Sequence, residues 1–296
     1  MDQRSRATTR RRDRLAQGRS ECPSNELSSW LAERAWSDSA IPQIDLTSYL
    51  RETAQLSESP AERLRQLAVH LESKVTLFPG LSGWQALERI YTTAAAFEPN
   101  DPELDISASI SALFLAELMD DESSGETLLA ISERRARRAV ASAPDSARTH
   151  LALGYVLYFC HQKKDSFDAL AEALARDPDV ATEAWAHLYQ AHVLHDDKRW
   201  GDALASYDQV DRSVFIGGQA WRTDVLAEQR AECLYMLGRT DEAEQELIRI
   251  LDRYEKEPHV AFAAMSAALW RLAEAVSPER HERAERVWEA ALDSVL

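Results

Sequence analysis

The chain has 296 residues, 45% hydrophobic and 28% charged, and its formal net charge at pH 7 is −16. This composition is ample for a core, and the negative charge disfavours nucleic acid or an anionic membrane as the main ligand, because like charges repel. No apolar run reaches the roughly 18 residues of a membrane-spanning helix. The three cysteines, without short spacing, indicate neither a disulfide framework nor a metal site. We therefore expect a cytoplasmic protein with reduced thiols.

Residues 1–24 are polar and rich in arginine. The first 20 residues contain seven Arg against two Asp, a local charge of +5, which leaves −21 on the rest of the chain. Such a segment buries too little apolar surface to offset its chain entropy, so we expect a disordered tail over 1–24. The tail could contact nucleic acid in a regulatory protein whose remaining residues sense a partner, which is the alternative function for this chain. It could also contact an acidic partner or the acidic rest of the chain, or it could simply be solvated. Arginine outnumbers lysine by 29 to 5, a bias that suggests a bacterial gene.

The sequence pattern over residues 25–57 predicts short helices. Asn25 could cap a first helix with Trp30, Leu31 and Trp36 on its apolar side, and Pro42 then interrupts the pattern. We interpret 25–57 as an N-terminal cap that covers the end of a helical array.

From residue 59 the sequence predicts pairs of helices. Ser59, Pro60 and Glu62 form a helix start with Ser as N-cap and Pro at the first helical position. Later helices end at prolines, and Pro144 and Pro178 are 34 residues apart. Because long alternating β-branched runs are missing, the pattern indicates an all-α chain.

A repeating register of small or apolar residues also occurs in the second helix of each predicted pair. An apolar residue lies three positions before each of them. Spacing of three places both side chains on one helix face, where they can pack against the first helix of the pair. The register positions and their upstream partners are Ala94, Ala139, Ala173, Val210, Ile250 and Ala291 with Tyr91, Ala136, Leu170, Tyr207, Leu247 and Trp288. The first helices carry Gly154, Ala191 and Ala231, each followed three positions later by Leu157, Leu194 or Leu234.

The combination of Leu153 and Gly154 with Leu170, Ala173 and Pro178 resembles the tetratricopeptide repeat (TPR) family. The resemblance covers residues 59–296 and is clearest over 147–257. It implies a right-handed α-solenoid of stacked antiparallel helix pairs. It also implies a non-enzymatic adaptor that binds a peptide or helix of a partner protein in a concave groove.

The resemblance further implies which residues face that groove. They form an aromatic floor with histidines in the middle and carboxylates on one wall: Arg148, Leu151, Tyr155, Tyr158, Phe159, Trp185, Leu188, His192, His195, Asp196, Val225, Glu228, Glu232, Tyr235 and Met236. Because Glu228 and Glu232 could pair with basic side chains, we expect a basic or amphipathic ligand. In the alternative interpretation, several of these aromatics pack between adjacent repeats.

No phosphate-binding loop, serine-hydrolase elbow or HExxH motif occurs in the chain, and we expect no enzyme, metal or cofactor. The strongest pattern against this expectation is the pair His192 and His195, which lie at i and i+3 on one helix face with Asp196 nearby. Metal binding there is a weak alternative to a polar groove face. Near the C-terminus, Trp270 and Trp288 need a cover, so a homodimer through that end is possible.

Overall fold

The computed structural model describes residues 45–56, 58–74, 81–215 and 222–256, together with five positions between 282 and 289. Within these residues the chain forms eleven α-helices between Leu46 and Lys256 and no strand. The chain divides into two compact units, residues 1–99 and 100–296. The predicted tail over 1–24, most of the predicted cap over 25–57 and the C-terminal dimer surface lie outside the described residues and stay predictions.

The first unit contains α1 (Leu46–Glu52), α2 (Pro60–Lys74) and α3 (Leu81–Phe97). As predicted, Ser59 caps α2, because its Oγ accepts a hydrogen bond from the Glu62 N–H at 3.1 Å. The apolar face of α2 is fully buried, and Tyr49 of α1 covers its start by donating from its hydroxyl to the Arg63 carbonyl at 2.7 Å. Helices α2 and α3 pack against each other as a pair, and α1 contacts α2.

The second unit contains four further helix pairs. Their helices are α4 (Pro102–Glu117), α5 (Glu122–Ser142), α6 (Ala147–Phe159), α7 (Lys163–Leu174), α8 (Val180–Asp196), α9 (Trp200–Asp208), α10 (Arg222–Met236) and α11 (Thr240–Lys256). Each pair packs on the next, and the first helices α4, α6 and α8 lie side by side in that order. This arrangement confirms the predicted all-α solenoid of helix pairs.

Aspartates set where several of these helices begin. The Asp101 carboxylate accepts from the Glu103 N–H at 2.8 Å, and the Asp179 carboxylate accepts from the Thr182 N–H at 2.7 Å. With Pro102 as the next residue, Asp101 fixes the start of α4.

The predicted small-residue register is buried throughout the described pairs. Ala94, Ala139, Ala173, Val210 and Ile250 and all five of their described upstream partners lie in the core. Helices α6 and α7 approach each other closely at Gly154 of α6. A Cβ added there would lie 2.6 Å from Leu170 Cγ of α7, and the Gly154 carbonyl accepts a hydrogen bond from Ser166 Oγ at 2.7 Å. Helix α6 can therefore approach α7 only because position 154 has no side chain.

Buried ion pairs, which the sequence did not predict, also join the two helices of a pair. The Asp105 side chain in α4 is 1% exposed and accepts from Arg138 Nε of α5 at 2.6 Å, with Arg135 at 3.8 Å. In the last pair, Arg253 Nη1 of α11 donates to Asp224 Oδ1 of α10 at 2.8 Å. Two arginines of α5, Arg135 and Arg138, thus neutralise a buried carboxylate of α4.

The contact at Gly154 predicts that Gly154→Ala is destabilising. The new methyl group overlaps Leu170, and overpacking of this kind lowers the free energy of unfolding by about 1–3 kcal/mol. Gly201→Ala is the matched control, because nothing lies within 4 Å of a Cβ placed there in α9. It should leave stability unchanged or raise it by up to about 1 kcal/mol. Urea unfolding followed by circular dichroism compares the two variants, and equal shifts would contradict the proposed close contact.

Candidate functional site

The structure brings the aromatic residues of α6 and α8 together. The rings of Tyr155 and Tyr189 meet edge to face with centroids 4.6 Å apart, and Phe159 lies 5.0 Å from Tyr155. Tyr158 contacts Tyr189 at 5.5 Å, and Trp185 stacks on Tyr189 at 6.0 Å. Four of these five rings were expected from the sequence. Tyr189, which touches all the others, was not.

This aromatic cluster (Tyr155, Tyr158, Phe159, Trp185 and Tyr189) belongs partly to the core. Tyr155 is 9% exposed and Tyr189 is 3% exposed, and burial raises the pKa of both hydroxyls. Trp185, Tyr158 and Phe159 are only partly buried. The inner rings thus pack between repeats, and the outer ones reach the surface. Leu188, another position expected in the groove, is 2% exposed and lies in the core between α8 and α10.

A pocket of about 390 Å³ opens beside the aromatic cluster. It collects side chains from the first helices of all four pairs of the second unit. Its apolar lining is Ile106, Ile110 and Phe114 of α4, Leu151, Ala152 and Tyr155 of α6, and Ala181 and Trp185 of α8, and its polar lining is Arg148, Asp179, Thr182 and Arg222. Four of the predicted site residues, Arg148, Leu151, Tyr155 and Trp185, therefore line one pocket. The sequence did not predict the other lining residues, which are those of α4 together with Ala152, Asp179, Ala181, Thr182 and Arg222.

Two arginines flank this pocket. The Arg222 guanidinium carbon lies 4.5 Å from the centre of the Trp185 ring, a cation–π contact. Its positive charge also opposes the effect of burial on the pKa of Tyr189. On α6, Arg148 Nε contacts a Glu103 carboxylate oxygen at 2.9 Å in an exposed ion pair. The carboxylate in the lining, that of Asp179, caps α8.

The predicted histidines lie further along α8 and have separate partners. His192 Nδ1 lies 2.9 Å from the Tyr207 hydroxyl, which donates its hydrogen to Gln229 Oε1 at 3.0 Å. Since that hydrogen is used, His192 Nδ1 must be the donor to Tyr207. His195 Nε2 lies 3.2 Å from a Glu232 carboxylate oxygen and lowers the pKa of that carboxyl group.

Glu228, Glu232 and Tyr235 do not line the pocket. On α10, Glu232 is ten residues beyond Arg222, which corresponds to about 15 Å along a helix. Tyr235 packs against the core between α8 and α10. The carboxylates expected to attract a basic ligand are therefore separate from the pocket that holds the aromatic side chains.

No group of three or more potential ligands is placed to hold a metal ion among the residues that the structure describes. Within the same residues, no helix is long and apolar enough to span a membrane. Cys160 and Cys233 are both free thiols, and burial raises their pKa values to about 11 and about 12.

No protein-family model and no curated protein matches the chain, whereas solved structures do. PilW, a widely conserved type IV pilus biogenesis factor, is 18% identical, with 80% of this chain and 94% of PilW covered and a TM-score of 0.54. Human IFIT1, solved as a dimer with PPP-AAAA, is 16% identical, with a TM-score of 0.56. The match covers 83% of this chain and 53% of IFIT1, so the chain spans about half of that protein.

A thermophilic TPR protein of Thermus thermophilus, TTC0263, is 20% identical, with 67% of this chain and 90% of that protein covered and a TM-score of 0.48. At 16–18% identity, the similarity to PilW and IFIT1 concerns the fold alone, and the fold is the TPR-like one that the repeat pattern predicts.

The surroundings of His192 predict that its imidazole stays neutral at mildly acidic pH. Burial, helped by His195 and Arg222, lowers the pKa of His192 to about 3. Its neutral form should therefore stabilise the fold above about pH 6.5, and this contribution should decline as the pH falls toward 3. In NMR spectra, the Hε1 resonance absent from His192→Gln should not titrate between pH 8 and pH 5. A midpoint near pH 6.5 would contradict the desolvated surroundings of this imidazole.

Proposed function

We propose that this chain, which has a divergent TPR-like fold, is a non-enzymatic adaptor that binds an apolar segment of a partner protein. The binding site is the pocket beside the aromatic cluster, with Arg148, Leu151, Tyr155 and Trp185 as contact residues. Tyr158 and Phe159 extend the surface, and His192, His195, Glu228, Glu232 and Tyr235 form its continuation along α8 and α10. The observation that carries the proposal is the convergence of four first helices on one apolar pocket.

The size and lining of the pocket support this proposal. Its volume of about 390 Å³ is at the small end of ligand pockets, which range over about 300–1,000 Å³. It suits one or two bulky side chains of a peptide. Aromatic and arginine side chains, which line it here, contribute most of the binding energy in many protein interfaces.

Rigidity of the lining supports the proposal as well. Tyr155 and Trp185 are both held by Tyr189 behind them, at 4.6 Å and 6.0 Å between ring centres. Because these rings are ordered before any ligand arrives, binding loses little side-chain entropy on the protein's side. We also propose a cytoplasmic location, supported by the free thiols of Cys160 and Cys233.

The proposal predicts that a charge placed in the pocket removes partner binding. Leu151→Asp and Ile110→Asp each introduce a carboxylate into the apolar lining. We expect the binding of a specific partner to fall at least tenfold, the equivalent of about 1.4 kcal/mol. The measurement is affinity capture from native lysate by the full chain, with captured proteins quantified by mass spectrometry.

Leu237→Asp is the matched control, because Leu237 is 43% exposed, lies at the end of α10 and does not line the pocket. Circular dichroism should show that all three variants retain their helical content. A partner lost from both pocket variants and kept by Leu237→Asp would support the pocket. The same set of captured proteins for all of the folded variants would overturn it.

A further inference from the structure

The charged side chains at the pocket balance one another. Arg148 forms an ion pair with Glu103 at 2.9 Å. Arg222 lies over the Trp185 ring, and Asp179 adds a second carboxylate to the lining. A charged ligand group would lose its hydration there without meeting an unbalanced charge of opposite sign, which is unfavourable. The part of a ligand that enters the pocket should therefore be neutral.

The first turn of α8 forms part of the pocket wall and carries two groups that can make a further hydrogen bond. Asp179 Oδ1 accepts from the Thr182 N–H at 2.7 Å, and Oδ2 makes no hydrogen bond with the described residues. Thr182 is only 6% exposed and lines the pocket. Its hydroxyl makes no hydrogen bond within the part of the chain that the structure describes.

A buried hydroxyl without a partner indicates that a hydrogen-bonding ligand group belongs beside it. Most buried polar side chains are hydrogen-bonded, because leaving one unpaired lowers stability. The Asp179 carboxylate can only accept, whereas the Thr182 hydroxyl can donate. The two groups are adjacent, since the carboxylate already contacts the Thr182 N–H. A ligand hydroxyl placed here would donate to Asp179 and accept from Thr182.

The rest of the lining selects what carries that hydroxyl. Ile106 and Ile110 of α4 and Leu151 of α6 present apolar side chains to the pocket, so the ligand needs a bulky apolar body. Serine and threonine lack such a body, and phenylalanine lacks the hydroxyl. The indole N–H of tryptophan can donate but cannot accept, so it satisfies only one of the two groups. Tyrosine has both an apolar ring and a hydroxyl that donates and accepts.

We infer that the pocket selects a tyrosine side chain of the partner segment. The ring lies against Ile110 and Leu151, and the phenol hydroxyl bonds to Asp179 and Thr182. This inference rests on the proposed function and deepens it by naming the residue that the partner inserts. It makes Asp179 and Thr182, which the sequence did not predict, the residues that determine specificity.

The first test is a phage-displayed library of random peptides in which Tyr, Phe and Trp are equally frequent. The library is selected on the full chain and counter-selected on Leu151→Asp. We expect Tyr to be enriched over Phe and Trp in the selected peptides. Pocket-dependent peptides without this preference would overturn the inference and leave the proposed function standing. No pocket-dependent enrichment would overturn both.

The second test measures the hydroxyl contact with one enriched peptide labelled with fluorescein. Changing its Tyr to Phe should weaken binding to the native chain about tenfold, as expected for a hydrogen bond to a charged group. On Thr182→Val the same peptide change should weaken binding less than about threefold, because one partner of the phenol is gone. Asp179→Asn should also reduce the effect, since Asn still caps α8 but its neutral amide accepts a weaker bond.

Thr127→Val is the matched control. Thr127 is exposed on α5, its hydroxyl donates to the Ser123 carbonyl at 2.9 Å, and it does not line the pocket. This variant should keep the tenfold effect. Because the Thr182 hydroxyl has no partner in the free chain, Thr182→Val should unfold at the same urea concentration as the native chain. An equal effect of the peptide change on the native chain, Thr182→Val and Asp179→Asn would overturn the assignment.

Discussion

The close approach of α6 to α7 determines which side chains of α6 face the neighbouring helix pair. At Gly154, α6 lies so near α7 that an added Cβ would be 2.6 Å from Leu170. This contact and the bond from Ser166 to the Gly154 carbonyl fix one face of α6 against its partner. The neighbouring residue Tyr155 then points toward α8. The position of the aromatic cluster therefore follows from packing inside a helix pair.

The aromatic cluster contributes both to the core and to the surface. Tyr189 is 3% exposed and contacts rings from both α6 and α8. One of the outer rings, that of Trp185, is only partly buried and lines the pocket. Burial of the inner rings stabilises the folded state. Because the inner rings are fixed in position, they also hold the outer rings rigidly. This arrangement explains why a residue such as Tyr155 is at once a packing residue and a candidate contact residue.

Arginine has two structural uses that the overall charge does not reveal. Arg138 and Arg253 neutralise buried aspartates between the helices of a pair. Arg222 instead lies over Trp185 beside the pocket. Composition assigns the chain a formal charge of −16 and favours basic ligands. The local field at the pocket depends on which charges are already paired, and only the packed structure decides that.

The sequence by itself determined the all-α class, the helix pairs and the buried register, because these follow from local periodicity and caps such as Ser59. The resemblance to TPR repeats also predicted that Leu151, Tyr155 and Trp185 face one common groove. Only the tertiary structure decided that Arg222 and the residues of α4 join them, since irregular loops shift the repeat register. The tertiary structure also showed that Glu232 does not line the pocket, because it lies about 15 Å along α10 from Arg222.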